Sequence, residues 1–250
     1  MSFKIQDLVF AHKKAKVDFY YSSNMSLETI AKYEDNLFDN LNNLLSHINN
    51  NDEAYFNNID FLGDWTLAPK GINFDDSKKM QSEVIHSSPS EHWAHICDYG
   101  EQNSNDKQTA EFRVMAACSM DFHVLSALWI LKVGEKYDKK LTDCAYGNRL
   151  RRNKKGNINK HSLGSFVPYL KPFRDWRDNG IAAMRTSLKQ NKKIIALTAD
   201  VNSFYHEVNP GFMLDDEFIK NVVGIELNHD EVTLNKIFIN AIENWAKKRP

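Results

Sequence analysis

No stretch of this chain approaches the eighteen or so consecutive apolar residues that a membrane span requires. Its opening, MSFKIQDLVFAHKKAKVDFYY, also lacks the uninterrupted apolar core of a signal peptide. The expectation is a cytoplasmic protein with no membrane partner. Cysteine is scarce: Cys97, Cys118 and Cys144 are odd in number and widely spaced, which excludes a disulfide framework or a zinc ribbon and suits reduced thiols. An excess of one charge sign is missing too, the net charge being −1, so the total alone does not suggest a polyanionic partner. Neither Gly-x-x-x-x-Gly-Lys-Ser/Thr nor Gly-x-Ser-x-Gly occurs, which leaves nucleoside triphosphatase and hydrolase readings without a motif. There is no internal repeat.

What is present is enough for a folded core: 250 residues, 42% of them apolar, make one large domain or two modest ones. The charge is also unevenly placed. From Arg149 to Lys193, 13 Lys and Arg residues stand against two Asp, a local charge of +11 over 45 residues, which is the footprint of a polyanion or of a ligand carrying phosphates.

Apolar residues at 27, 30, 37, 41, 44, 45 and 48 predict a helix, with Ser26 as its N-cap and an end in Asn49 to Asn51. Residues 52 to 110 read as short elements joined by polar loops, with 76 to 90 and 100 to 109 the most mobile. The nearly continuous apolar run from Phe112 to Val133 predicts a buried helix, or a strand and a helix, with His123 a satisfied core histidine. Residues 147 to 161, GNRLRRNKKGNINKH, suggest a hairpin tip or an extended finger, and Pro172 to Gln190 an amphipathic helix with Trp176 facing the core. Then Lys193-IIALTADV-Asn202 predicts a short strand stopping at Asp200, and residues 234 to 245 an amphipathic helix. His92, His95 and Cys97 have ligand chemistry but no evident fourth partner and read as an aromatic surface cluster.

A strand that ends in a carboxylate holds it on a rigid element, as a Mg²⁺ ligand requires. The segment IIALTADVNSFYHEV (194 to 208) resembles the reverse-transcriptase motif in which a metal-binding aspartate is followed by two aromatics and a helix. Upstream, Ala145 to Leu150, the basic loop, Phe166-Val-Pro-Tyr169 and Phe173-Arg-Asp-Trp-Arg177 look like the fingers of bacterial reverse transcriptases of the phage-defence type. The resemblance covers about residues 110 to 248, with 1 to 110 a helical and irregular region that it does not place.

The resemblance implies an α+β fold with a helical N-terminal half, then partial fingers and palm with a small antiparallel sheet near Asp200. It implies Asp200 as the catalytic residue and Mg²⁺ ligand, joined by the Val201 carbonyl. Arg149, Arg151, Phe204 and Tyr205 would contact the incoming deoxynucleoside triphosphate, Tyr205 lying under the sugar. Arg152, Lys154, Lys155, Lys160 and Arg177 would contact nucleic acid. RNA template and DNA product would be the partners, with a partner protein or self-association as a further possibility. The alternative is a non-catalytic, polymerase-like nucleic-acid-binding subunit.

The paired aspartates that complete such a metal site are not found. Asp215-Asp216 reads instead as a helix start, where acidic residues suit the dipole. One carboxylate does not hold two Mg²⁺ ions, so this stretch alone is expected to be inactive, with an exposed sheet edge and an exposed apolar face on the helix 234 to 245.

Overall fold

The computed structural model describes residues 3–22, 27–74, 108–199 and 208–247. It is mostly helical with one two-stranded antiparallel sheet, an α+β arrangement. Helix α1 (Ile5–Ser22) carries Leu8, Ala11, Ala15 and Phe19 on one buried stripe. The stripe expected over 27 to 48 is two helices, α2 (Leu27–Asp35) and α3 (Leu37–Asn50), because Asn36 leaves the helical conformation at φ −126°. The Asn40 side chain donates to the Tyr33 carbonyl and covers the break. Helix α3 buries Leu41, Leu44 and Ile48 and ends where expected, with Asn51 in the left-handed conformation that terminates helices. Ser26 lies outside the described residues.

Two single turns follow, α4 (Glu53–Phe56) and α5 (Ile59–Leu62), capped by the side chains of Asp52 and Asn58. Gly63 then turns the chain into strand β1 (Asp64–Phe74) at φ 69°, and a Cβ at this position would stand 2.3 Å from the Ala117 carbonyl oxygen. Only glycine fits there. Strand β1 pairs with β2 (Gln108–Ala117) from Asp64 opposite Ala117 to Phe74 opposite Gln108, with an irregularity between Pro69 and Gly71. Proline offers no amide to the ladder, so a register break is the natural consequence.

The apolar run from 112 to 133 is the strand and helix that its composition allowed. After β2, Ser119 caps α6 (Met120–Trp129), accepting from the Phe122 amide and donating to the Phe61 carbonyl. Helix α6 buries Met120, Phe122, Val124, Leu125, Ala127 and Leu128, too many for one face, because α1 and the C-terminal helix flank it. A π-helical turn at Ile130–Gly134 leads into α7 (Glu135–Lys140). Around α6, Tyr33 and Tyr55 each donate to one oxygen of Asp121 at 2.5 Å, tying α2 and α4 to its first turn. Burial and the neighbouring carboxylate push both phenols well above their usual range.

Helix α8 (Leu170–Lys189) buries no residue. A 3₁₀ turn at Pro210–Leu214 and a π-helical turn at Phe218–Val223 precede α9 (His229–Ala246). Asp215 and Asp216 do open a helical turn: the Asp215 side chain accepts from the Glu217 amide, and Asp216 pairs with Lys220. Two expectations are corrected. The apolar face of 234 to 245 is not exposed, since Leu234, Ile237, Phe238, Ile239 and Ala241 are all buried in the core. The small sheet is also built from β1 and β2 and not from the described run, 192–199, that leads to Asp200. Residues 192–199 carry no strand, and Ile195 and Leu197 are 96% and 88% exposed, so the β-type run has no pairing partner among the described residues. The loops predicted at 76 to 90 and 100 to 107 lie outside the described residues, whereas Gln108 and Thr109 open β2.

Candidate nucleic-acid interface

The basic segment after α7 is a short hairpin docked on the helical core. Antiparallel bridges join Leu150 to Phe166 and Arg152 to Ile158. At its tip the Asn153 side chain accepts from the amides of Lys155 and Asn157, and Gly156 takes φ 77°. Leu150 and Ile158 point inward and are buried, while Lys154 and Lys155 are exposed. The hairpin expected from the glycine- and lysine-rich composition is therefore present, anchored by its apolar residues and presenting its lysines.

Two polar clasps hold it. In the first, the buried carboxylate of Asp138 accepts from Arg149 Nε at 3.0 Å, from Arg152 at 2.5 Å and from the Leu150 amide at 3.1 Å. Burial opposes ionisation here, but the donors from Arg152, Leu150 and Arg149 outweigh it and hold the carboxyl below its usual range. In the second, Lys14 of α1, only 1% exposed, places its ammonium among the carbonyls of Asn159 (2.8 Å), Ser162 (2.6 Å) and Gly164 (2.8 Å) and the Ser162 hydroxyl (2.9 Å). Burial draws this amine down to about 8. One turn on, Asp18 accepts from the Ser165 amide.

These clasps decide where the expected ligand-binding residues stand. Arg149 also donates to the carbonyls of Asp138, Thr142 and Ala145, so nearly all its N–H groups are spent internally. Arg152 likewise donates to the carbonyls of Glu135 and Gly156. Both guanidinium groups are thus committed to the fold among the described residues, which is where the structure places the residue expected to contact the nucleotide, Arg149, and the residue expected to contact nucleic acid, Arg152. Arg151 differs, since only its Nε is engaged among the described residues, by the Phe166 carbonyl at 2.7 Å. Lys160 lies over the Phe10 ring, 6.0 Å from its centroid. Arg177 pairs with Asp178 at 2.8 Å.

Helix α8 continues the basic surface, and Trp176, expected in the core, is instead 51% exposed. At its C-terminal end Met184, Leu188, Lys192, Lys193 and Ile194 line an open cleft of about 540 Å³. Asp200, Val201, Phe204 and Tyr205 follow directly and lie outside the described residues, as do His92, His95 and Cys97. Among the described residues no group of three His, Cys, Asp or Glu side chains is placed to hold a metal ion, and no helix is long and apolar enough to cross a membrane. Cys118 and Cys144 are free.

His123 is only half satisfied. It sits edge-on to Phe19 at 4.2 Å and bonds to the Cys118 backbone, but its Nε2 has no partner among the described residues. The residues missed from sequence are Asp138 and Lys14. Asp138 carries no local signal, being eleven and fourteen residues from its arginines. Lys14 has one: it stands beside the apolar stripe of α1, where a lysine must find oxygen partners. No family model, no curated protein and no solved structure matches the chain.

Proposed function

We propose that the chain is the fingers and early palm of an RNA-directed DNA polymerase acting in antiviral defence. The observation that carries the reading is the segment Ile194 to Val208, with Asp200 four and five residues ahead of Phe204 and Tyr205. Its position directly after a docked basic hairpin and a basic helix supports it. In this reading Asp200 and the Val201 carbonyl hold Mg²⁺, which supplies charge neutralisation for phosphoryl transfer in concert with further carboxylates. Tyr205 excludes the 2′-hydroxyl of a ribonucleotide. Arg151, with its guanidinium tip uncommitted among the described residues, replaces Arg149 as the contact for the triphosphate.

A second reading, a polymerase-like subunit that binds nucleic acid without catalysis, is favoured by the internal engagement of Arg149 and Arg152. Mg²⁺-dependent primer extension on an RNA template, using the longest product of the coding sequence, separates the two. Incorporation should fall to background in Asp200→Ala. Equal incorporation by the variant would remove the metal role, and no incorporation by the wild type would leave the binding subunit.

A further inference from the structure

Helix α8 is twenty residues long and buries none of them, yet it carries a row of rings. Tyr169, Phe173 and Trp176 are 68%, 39% and 51% exposed, and they touch one another, with centroids 5.5 Å apart for the first pair and 6.0 Å for the second. Positions i, i+4 and i+7 share one helix face, so the three rings form a continuous ladder about 10 Å long. Arg174, Arg177 and Arg185 fall on the neighbouring stripe, about 100° further round in each case from residues 173, 176 and 184. Asp175 and Asp178 are paired with Lys171 and Arg177, whereas Arg174 and Arg185 make no ion pair with a described residue. Between Leu170 and Lys193 the chain carries seven Lys and Arg against these two aspartates.

Charge selects the occupant of this face. A second copy of the chain would set one positive surface against another, and an apolar peptide would leave the arginines unanswered. A polyanion whose uncharged parts are flat and aromatic satisfies both stripes. In a duplex those flat faces are already stacked on one another, so the match is to a single strand.

We propose that this face of α8 is a stacking platform for the unpaired bases of single-stranded nucleic acid, with the rings of Tyr169, Phe173 and Trp176 beneath the bases and the arginines beside the phosphates. It rests on the function proposed above only in taking nucleic acid as the partner. Two stripes of different chemistry then read one ligand: the rings hold bases of any sequence and the arginines track the backbone.

The test is fluorescence anisotropy of a short fluorescein-labelled oligouridine titrated with the full chain, without Mg²⁺ or nucleotides. Trp176→Ala and Phe173→Ala should each weaken binding about tenfold, while leaving the salt dependence and the far-UV dichroism unchanged. Trp176→Phe should restore most of the loss. The Arg174→Ala, Arg185→Ala double variant should bind more weakly with a shallower salt slope, by roughly 0.7 per arginine. Wild-type affinity in Trp176→Ala, or equal affinity for a duplex of the same sequence, would overturn the platform. The readout needs no chemistry, so a chain that binds through Trp176 but never extends a primer keeps the platform and loses the polymerase. A chain that extends primers without using Trp176 does the reverse.

Discussion

A lysine ammonium taken out of water must find oxygen on every side, and Lys14 finds three carbonyls and a hydroxyl within one loop. Removing it strips those acceptors of their donor while they stay partly or fully buried. Lys14→Met should therefore lower the unfolding free energy by about 2 kcal/mol, read from urea denaturation. It should also speed hydrogen exchange at the hairpin amides of Arg151 and Asn159, whose bonds to Ser165 and Arg151 depend on the loop's position. At this scale the sequence was partly legible. Arginine is by type a fork-shaped donor, and Arg149 and Arg152 direct that fork at Asp138. Spacings of eleven and fourteen residues match no local periodicity, so only the fold reveals that pairing.

Helices show the opposite balance of pattern and context. The stripe of α9 is plain in the sequence from residue 234, but the helix starts five residues earlier, where Asn228 accepts from the Glu231 amide while Glu231 accepts from the Asn228 amide, a reciprocal cap. Asn228→Ala should cost about 1 kcal/mol, seen as a lower urea midpoint with an unchanged slope. What periodicity does not contain is the cover. Helices α8 and α9 have comparable amphipathic patterns, yet one buries nothing and the other closes the core with Ile237 and Phe238. Pattern gives a helix its face, and distant segments decide whether that face is buried. Asn36 makes a similar point within one stripe, since the period runs across a break that the backbone does not tolerate as continuous helix.

For the whole molecule, one source of acid sensitivity is a histidine in the core. Burial lowers His123 from 6.5 to about 4, so across that interval the unfolded chain binds a proton that the folded chain refuses. Stability is complete above pH 6.5 and falls as pH drops toward 4, by on the order of 3 kcal/mol from this residue. His12, also lowered mainly by burial, acts in the same direction. Urea midpoints followed from neutral pH downward should fall less steeply in His123→Phe than in the wild type; parallel curves would assign the acid sensitivity elsewhere. The α+β class that the resemblance implied is the one the structure has, but the sheet's location was not legible. The run at 194 to 199 has strand composition and no pairing partner among the described residues, while 64–74 and 108–117 pair, with Gly63 close against the end of β2.

The oxygens around Lys14 are arranged much as a loop arranges them around a bound sodium or calcium ion, with the difference that this cation is covalently part of a helix. A free ion can be chelated or exchanged, whereas an ammonium on α1 cannot leave. The cation of this clasp is therefore one that a chelator cannot remove. Because this anchor lies 145 to 150 residues earlier in the chain, the clasp closes only where the hairpin meets the N-terminal helix.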